Sequence, residues 1–185
     1  MRVILTATYQ VEVQRRGRAY VDDPQVQENI NAVARALVAD DYKFGLMLCG
    51  TSGNGKTTMM NAIKAAVAVA NHSNLFDRSL RLEVVDAVEL ARLFTRNEDT
   101  FRQYRKAQLL GIEDMGREEN SVMSYGNSYN PMIELLEARY AEMLYTVITT
   151  NLNADEVRKK YGPRIADRFN EMLRVVVFKG QTYRR

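Results

Sequence analysis

Residues 44–58 read FGLMLCGTSGNGKTT. The stretch from Phe44 to Cys49 is almost wholly apolar and runs straight into glycine, the pattern of a short strand covered on both faces in a parallel sheet. Gly50, Gly53 and Gly55 then let the backbone curl so that successive N–H groups converge. Residues 57–69 (TTMMNAIKAAVAV) are rich in helix formers and apolar throughout, so a buried helix starts where the loop ends. Strand, glycine loop and helix N-terminus in that order make an anion cradle, because free amides and the helix dipole both favour phosphate oxygens. Gly50, Thr51, Ser52, Gly53, Asn54, Gly55, Lys56, Thr57 and Thr58 are the candidate nucleotide-binding residues. Lys56 is placed to reach the β- and γ-phosphates of ATP, and Thr57 to offer its hydroxyl to Mg²⁺.

Upstream, residues 3–14 fit both a strand and a helix, with Val3, Ile4, Ala7 and Val11 on one helical face; the helix is the preferred reading. Asp22-Asp23-Pro24 starts a second helix that ends near Asp40. Downstream, residues 71–78 close the first βα unit, with His72 read as a structural loop residue. Residues 80–85 form the next strand, Asp86 caps a helix over 87–94, and another helix covers 98–106. Residues 109–112 are a third strand ending in Glu113-Asp114, followed by a polar loop over 116–130. Pro131 opens a helix to residue 143, residues 144–149 form a β-branched strand, Asn153 caps a helix to 160, and a short helix over 164–172 leads to a last strand at 173–178. Strands alternating with helices define an α/β fold, a three-layer α/β/α sandwich around a mostly parallel sheet.

The chemistry falls at the ends of these strands. Glu113 and Asp114 are candidates for the Mg²⁺ shell together with Thr57, with Asp114 orienting or deprotonating the attacking water. Asn151 leaves the fourth strand as a neutral hydrogen-bonding group for the γ-phosphate or the water. Arg164 and Arg168 share a helix face one turn apart; Arg168 is the candidate to complete a neighbouring subunit's site, and a salt bridge to Asp155, Asp167 or Glu171 is the competing reading. In residues 92–106, Arg92, Arg96, Arg102, Arg105 and Lys106 interleave with Phe94, Phe101 and Tyr104. That pattern suits single-stranded nucleic acid, phosphates on the cations and bases on the rings. The same aromatic spacing also suits a packed core.

A hydrophobic content of 46% with 26% charged residues excludes a disordered chain. Cys49 is the only cysteine, which excludes an internal disulfide and a thiolate zinc site. No apolar run approaches the roughly 20 residues needed to span a bilayer, and the start MRVILTATYQVEV is unlike a signal peptide, so a cytoplasmic protein with no membrane partner is expected. The net charge of +3 is modest, but positive residues gather at 15–18, at 92–106 and in the tail at 182–185.

GTSGNGKTT, LLGIEDMG, YTVITTNLN and YGPRIADRFNEM occur in an order and spacing that resembles the AAA+ ATPases of the DnaC/IstB group, most of all DnaC-like helicase loaders of phages and mobile elements. The resemblance runs from about Tyr20 to the C-terminus. It implies a Walker A loop at Gly50 to Thr58, a Walker B acid pair at Glu113 and Asp114, sensor 1 at Asn151 and an arginine finger at Arg168. It implies a Mg-dependent ATPase, weak as a monomer and working as a homo-oligomer, that binds ATP and ADP, single-stranded DNA and a replicative DnaB-type helicase. An IstB-like transposition ATPase working with a transposase, a small P-loop kinase and a nucleotide-bound module without turnover are the alternatives. The implied organisation is an N-terminal helical segment and linker at 1–40 and a P-loop ATPase domain at 41–185, an AAA+ core with no C-terminal lid domain. Glu113 departs from the aspartate usual at the start of Walker B, which implies slow hydrolysis.

Overall fold

The computed structural model describes residues 1–73, 79–124 and 126–179. Most of the loop expected to close the first βα unit (residues 74–78) and the basic tail (residues 182–185) lie outside the described residues. The chain opens with α1 (Arg2–Arg15) and α2 (Pro24–Leu37), followed by β1 (Gly45–Cys49), α3 (Lys56–His72), β2 (Leu82–Asp86), α4 (Ala87–Arg96) and α5 (Glu98–Lys106). Next come β3 (Leu109–Met115), β4 (Val122–Ser124), β5 (Asn127–Tyr129), α6 (Pro131–Ala141), β6 (Tyr145–Thr150), α7 (Ala154–Tyr161), α8 (Pro163–Met172) and β7 (Arg174–Val177).

The main sheet has five parallel strands in the order β2-β3-β6-β1-β7. Alternation along β1 divides the interior in two. Leu46 and Leu48 face Leu5, Ile30, Met59 and Ile63 of α1, α2 and α3, while Met47 faces the layer that contributes Leu90, Phe101, Leu135 and Phe169. This is a three-layer α/β/α sandwich, as the strand and helix alternation predicts. The strand order sets β3, β6 and β1 side by side, so the residues leaving their C-terminal ends meet at one edge of the sheet.

Local signals account for most boundaries. Asp23 accepts from Gln25 N ahead of Pro24, Asp86 from the amides of Val88 and Glu89, and Asn153 forms a reciprocal capping box with Glu156. Several expectations need correction. The α2 helix stops at Leu37, short of Asp40. His72 is the last residue of α3 and not part of a loop. Of the expected α1 face, Ile4 packs partly against the core while Val3, Ala7 and Val11 face outward, with Val3 82% exposed, and Leu5, Thr8, Tyr9 and Glu12 are buried. Periodicity misled here because polar Thr8 and Glu12 lie on the buried face while valines lie on the exposed one. The stretch expected as a plain loop contains the antiparallel hairpin β4–β5, with Met123 opposite Ser128, and Tyr129 sets its ring 5.5 Å from Phe94. Its strands are too short and polar to show alternation.

Arg139 of α6 is fully buried. Its guanidinium donates to Thr146 Oγ1 and to the carbonyls of Tyr104, Arg105, Ala107 and Tyr145 at 2.8–3.2 Å. One side chain thereby closes the C-terminal end of α5 and ties it to β6. Burial lowers its pKa to about 10, which leaves it charged at neutral pH.

Candidate nucleotide site

The loop from Gly50 to Gly55 adopts backbone angles that require glycine at both ends. Gly55 has φ +96° and stands at the start of α3, where a Cβ would lie 2.8 Å from Tyr9 Oη. Gly50 has φ +142°, and a Cβ there would meet Phe178 O at 2.5 Å. Among the described residues no side chain caps α3, so its first amides are left for another acceptor. Buried Asn54 braces the loop by donating to Phe178 O at 2.8 Å, and Phe178 N donates to Cys49 O at 2.7 Å.

Lys56 is 5% exposed, and its Nζ donates to Gly50 O (2.7 Å), Thr51 O (2.8 Å), Asn54 Oδ1 (3.2 Å) and Asn151 Oδ1 (2.8 Å). Those oxygens outnumber the hydrogens of an ammonium group, so they share it, and the lysine can exchange one of them for a phosphate oxygen. The bond to Asn151 joins the loop after β1 to the exit of β6, two sites that sequence alone could only place separately.

The acidic pair lies inside β3, which runs on to Met115 and does not stop at Ile112 as expected. Pairing with β6 shifts between Ile112 and Met115, a bulge that re-aims the side chains between them. Asp114 takes φ +52°, a left-handed conformation uncommon for a residue with a side chain. Its N–H donates to Thr149 Oγ1 at 2.9 Å, and the next residue's carbonyl, Met115 O, accepts from Thr150 Oγ1 at 2.7 Å. Gly116 N donates to Glu118 Oε2 at 2.8 Å. Glu118 is itself buried, accepts from Tyr161 Oη and lies 3.7 Å from Lys160 Nζ.

These elements enclose a cleft of about 820 Å³ lined by the loop from Ser52 to Thr58 and by Asp114, Arg117 and Asn151. Glu113 stands beside it and does not line it. Burial, and secondly the charge of Asp114, push the Glu113 carboxyl above the usual range, and its Oε1 is buried with no hydrogen-bond partner among the described residues. Tyr9, Val13, Arg16, Arg18, Tyr20, Val21 and Val26, from α1, α2 and the link between them, also line the cleft. None of these was a candidate site residue in the sequence, where Arg16 and Arg18 stood out only as part of the basic cluster at 15–18. Arg117 was missed too. Its Nη1 lies 3.1 Å from Asp114 Oδ2 and 3.7 Å from Asp86 Oδ2.

Arg168 is outside this cleft. Its Nη1 is 2.9 Å from Glu137 Oε1, its guanidinium stacks 4.8 Å over the Tyr140 ring, and its side chain is 18% exposed. Arg164, far more open, shares the same Glu137 oxygen at 3.1 Å. The ion-pair partner is thus Glu137 and not Asp155, Asp167 or Glu171. On α4 and α5 the aromatics belong to the core: Phe101 is buried, with Phe94 edge-on at 5.2 Å, so the rings are not an open stacking platform for bases. Arg92, Arg96, Arg102 and Lys106 remain exposed and Arg105 is half-buried. Arg92 and Arg102 pair with Glu89 and Glu98 on their own helices.

A parallel sheet in this order, with the P-loop after β1, an acid pair at the end of β3 and an asparagine after β6, is the fold of AAA+ P-loop domains, such as those of DnaC and of DnaA domain III. The likeness runs through the DnaC kind that the motifs pointed to. The structure of DnaI matches 100% of this chain and 94% of its own at TM-score 0.67 and 23% identity. The DnaC helicase loader matches 86% of this chain and 93% of its own at TM-score 0.63 and 18% identity. Replication initiator DnaA, solved with AMPPCP and single-stranded DNA, matches 88% of this chain but 49% of its own at TM-score 0.59 and 15% identity. No family model matches the sequence, and no curated protein resembles it closely enough to count as a relative.

Proposed function

We propose that this chain is a Mg-dependent ATPase of DNA replication, working as a helicase loader that binds single-stranded DNA and a replicative helicase. The observation that carries the nucleotide reading is the 2.8 Å bond from Lys56 Nζ to Asn151 Oδ1 in a cleft that Asp114 also lines. Lys56, Asn151 and Asp114, which we read as the phosphate-binding, water-orienting and acidic groups, follow or end three adjacent strands. The residues fit the implied ligands. Glycine keeps the curl of the loop, since a Cβ at Gly50 would strike Phe178 O and one at Gly55 would crowd Tyr9 Oη, and a loop so curled offers its amides to phosphate oxygens. Thr57 and Asp114 would hold Mg²⁺, which supplies charge neutralisation on the β- and γ-phosphates when bound. Asp114 orients and deprotonates the water, Asn151 fixes the terminal phosphate, and Glu113 adds negative charge from behind.

The helicase and DNA parts of the reading draw on the likeness to DnaI, DnaC and DNA-bound DnaA. The exposed cations of α4 and α5 would hold backbone phosphates, with little base preference because the rings are turned inward. Steady-state ATP hydrolysis, with and without single-stranded DNA, tests the proposal against Lys56→Ala. DNA-stimulated turnover that Lys56→Ala abolishes supports it. Turnover that survives the loss of Lys56 sinks it.

A further inference from the structure

Arg117 touches the acid at the centre of the cleft, whereas Arg168 is held away by Glu137 and Tyr140. Resting on the hydrolytic reading above, we propose that Arg117 is a catalytic residue acting within its own subunit, its guanidinium turning from Asp114 to the terminal phosphate of bound ATP.

The surroundings of Arg117 fix its backbone and leave its side chain free to turn. Gly116 N is bound to the buried Glu118 carboxylate, and Lys160 Nζ donates to Glu118 O at 2.7 Å, so both neighbours of residue 117 are pinned. The Arg117 side chain is 60% exposed, and its carboxylate partners Asp86 and Asp114 are 42% and 33% exposed. Ion pairs that open are weak, and a phosphate with more charge and a fork-shaped acceptor surface competes well for the guanidinium. Arg117 lines the same cleft as Lys56, Asn151 and Asp114, so a terminal phosphate held between Lys56 and Asn151 shares that space with its guanidinium.

In the step itself the water oxygen bonds to the γ-phosphorus. The bond from that phosphorus to the bridging oxygen breaks, and its electron pair leaves on ADP. The water's proton passes to Asp114 and then to solvent. Charge gathers on the equatorial oxygens of the transferring group, and Arg117 meets it there. A subunit with its own arginine turns ATP over without a neighbour.

The test uses the full chain, Arg117→Ala and Arg117→Lys, with ADP affinity measured beside single-turnover ATP hydrolysis over a dilution series. The expected result is parental turnover per subunit that persists on dilution and falls roughly 100-fold in Arg117→Ala. ADP affinity should stay unchanged, and lysine should restore little because it lacks the fork. Parental turnover in Arg117→Ala, equal losses of turnover and ADP affinity, or parental turnover that vanishes on dilution would each overturn the proposal. A parent that binds no ADP would instead bring down the nucleotide reading beneath it.

Discussion

The Asp114 amide donates to the buried Thr149 hydroxyl at 2.9 Å, so the strand that presents Asn151 also fixes the backbone of the acid two strands from the P-loop. A left-handed non-glycine residue costs roughly 1–2 kcal/mol, and Thr149 helps hold that conformation.

Replacing Thr149 with valine keeps the shape and removes the acceptor, leaving the amide unpaired at a cost of about 1–3 kcal/mol. We expect kcat for ATP hydrolysis to fall by at least about tenfold while ADP affinity holds, since a misaimed Asp114 harms the reaction and not the phosphate cradle. Thr149→Ser should recover most of the rate. Equal losses in kcat and ADP affinity would mean that the loop, and not the bulge, was damaged.

Arg139→Met strips buried acceptors at the end of α5 of their donor. The expected loss is about 3 kcal/mol, or a fall in Tm of roughly 6–12 °C for a chain of this size. Thermal unfolding followed by circular dichroism measures it. A Tm within a degree of the parent would show that water replaces the guanidinium.

Glu113 gives a pH signature. Burial raises its carboxyl pKa in the folded state, so folding favours the protonated form. Its contribution is fully present below the unfolded carboxylate pKa and is lost as pH rises through the folded value. Glu113→Gln should therefore be more stable than the parent at neutral pH. With the group half open to solvent, the gain is under about 1 kcal/mol, and it should shrink as the pH falls into the carboxylate range. Denaturant midpoints across acidic and neutral pH would show it, and a gain that does not depend on pH would refute the linkage.

If α4 and α5 bind nucleic acid through phosphates alone, Arg92→Ser with Arg96→Ser should weaken binding of a labelled oligothymidine and of a mixed-sequence strand alike. The slope of log K against log salt should decrease by roughly 0.7 for each phosphate that the variant no longer neutralises. Fluorescence anisotropy over a salt series reads both. A loss confined to one sequence would point to base recognition instead.

The glycine loop, its strand and its helix were legible because the signal is local: glycine spacing and an apolar run on either side. Caps at Asp23, Asp86 and Asn153 were legible for the same reason. The bulge that turns Asp114 was not, since it depends on hydroxyls from β6 reaching across to β3. Nor were the arginines. Arg117, Arg139 and Arg168 look alike in sequence, yet the fold puts the first on the cleft wall, buries the second and stacks the third on a tyrosine. α1 was misread on its buried face because Thr8 and Glu12 turn inward while Val3 and Val11 turn out.

The phosphate loop is clasped from both directions along the chain, with Tyr9 against Gly55 and Phe178 against Gly50 and Asn54. A loop secured by partners 124 residues apart cannot take its working shape until nearly the whole described chain is in place. On the nucleotide reading, competence to hold ATP would therefore arrive late in folding, after the sheet has closed.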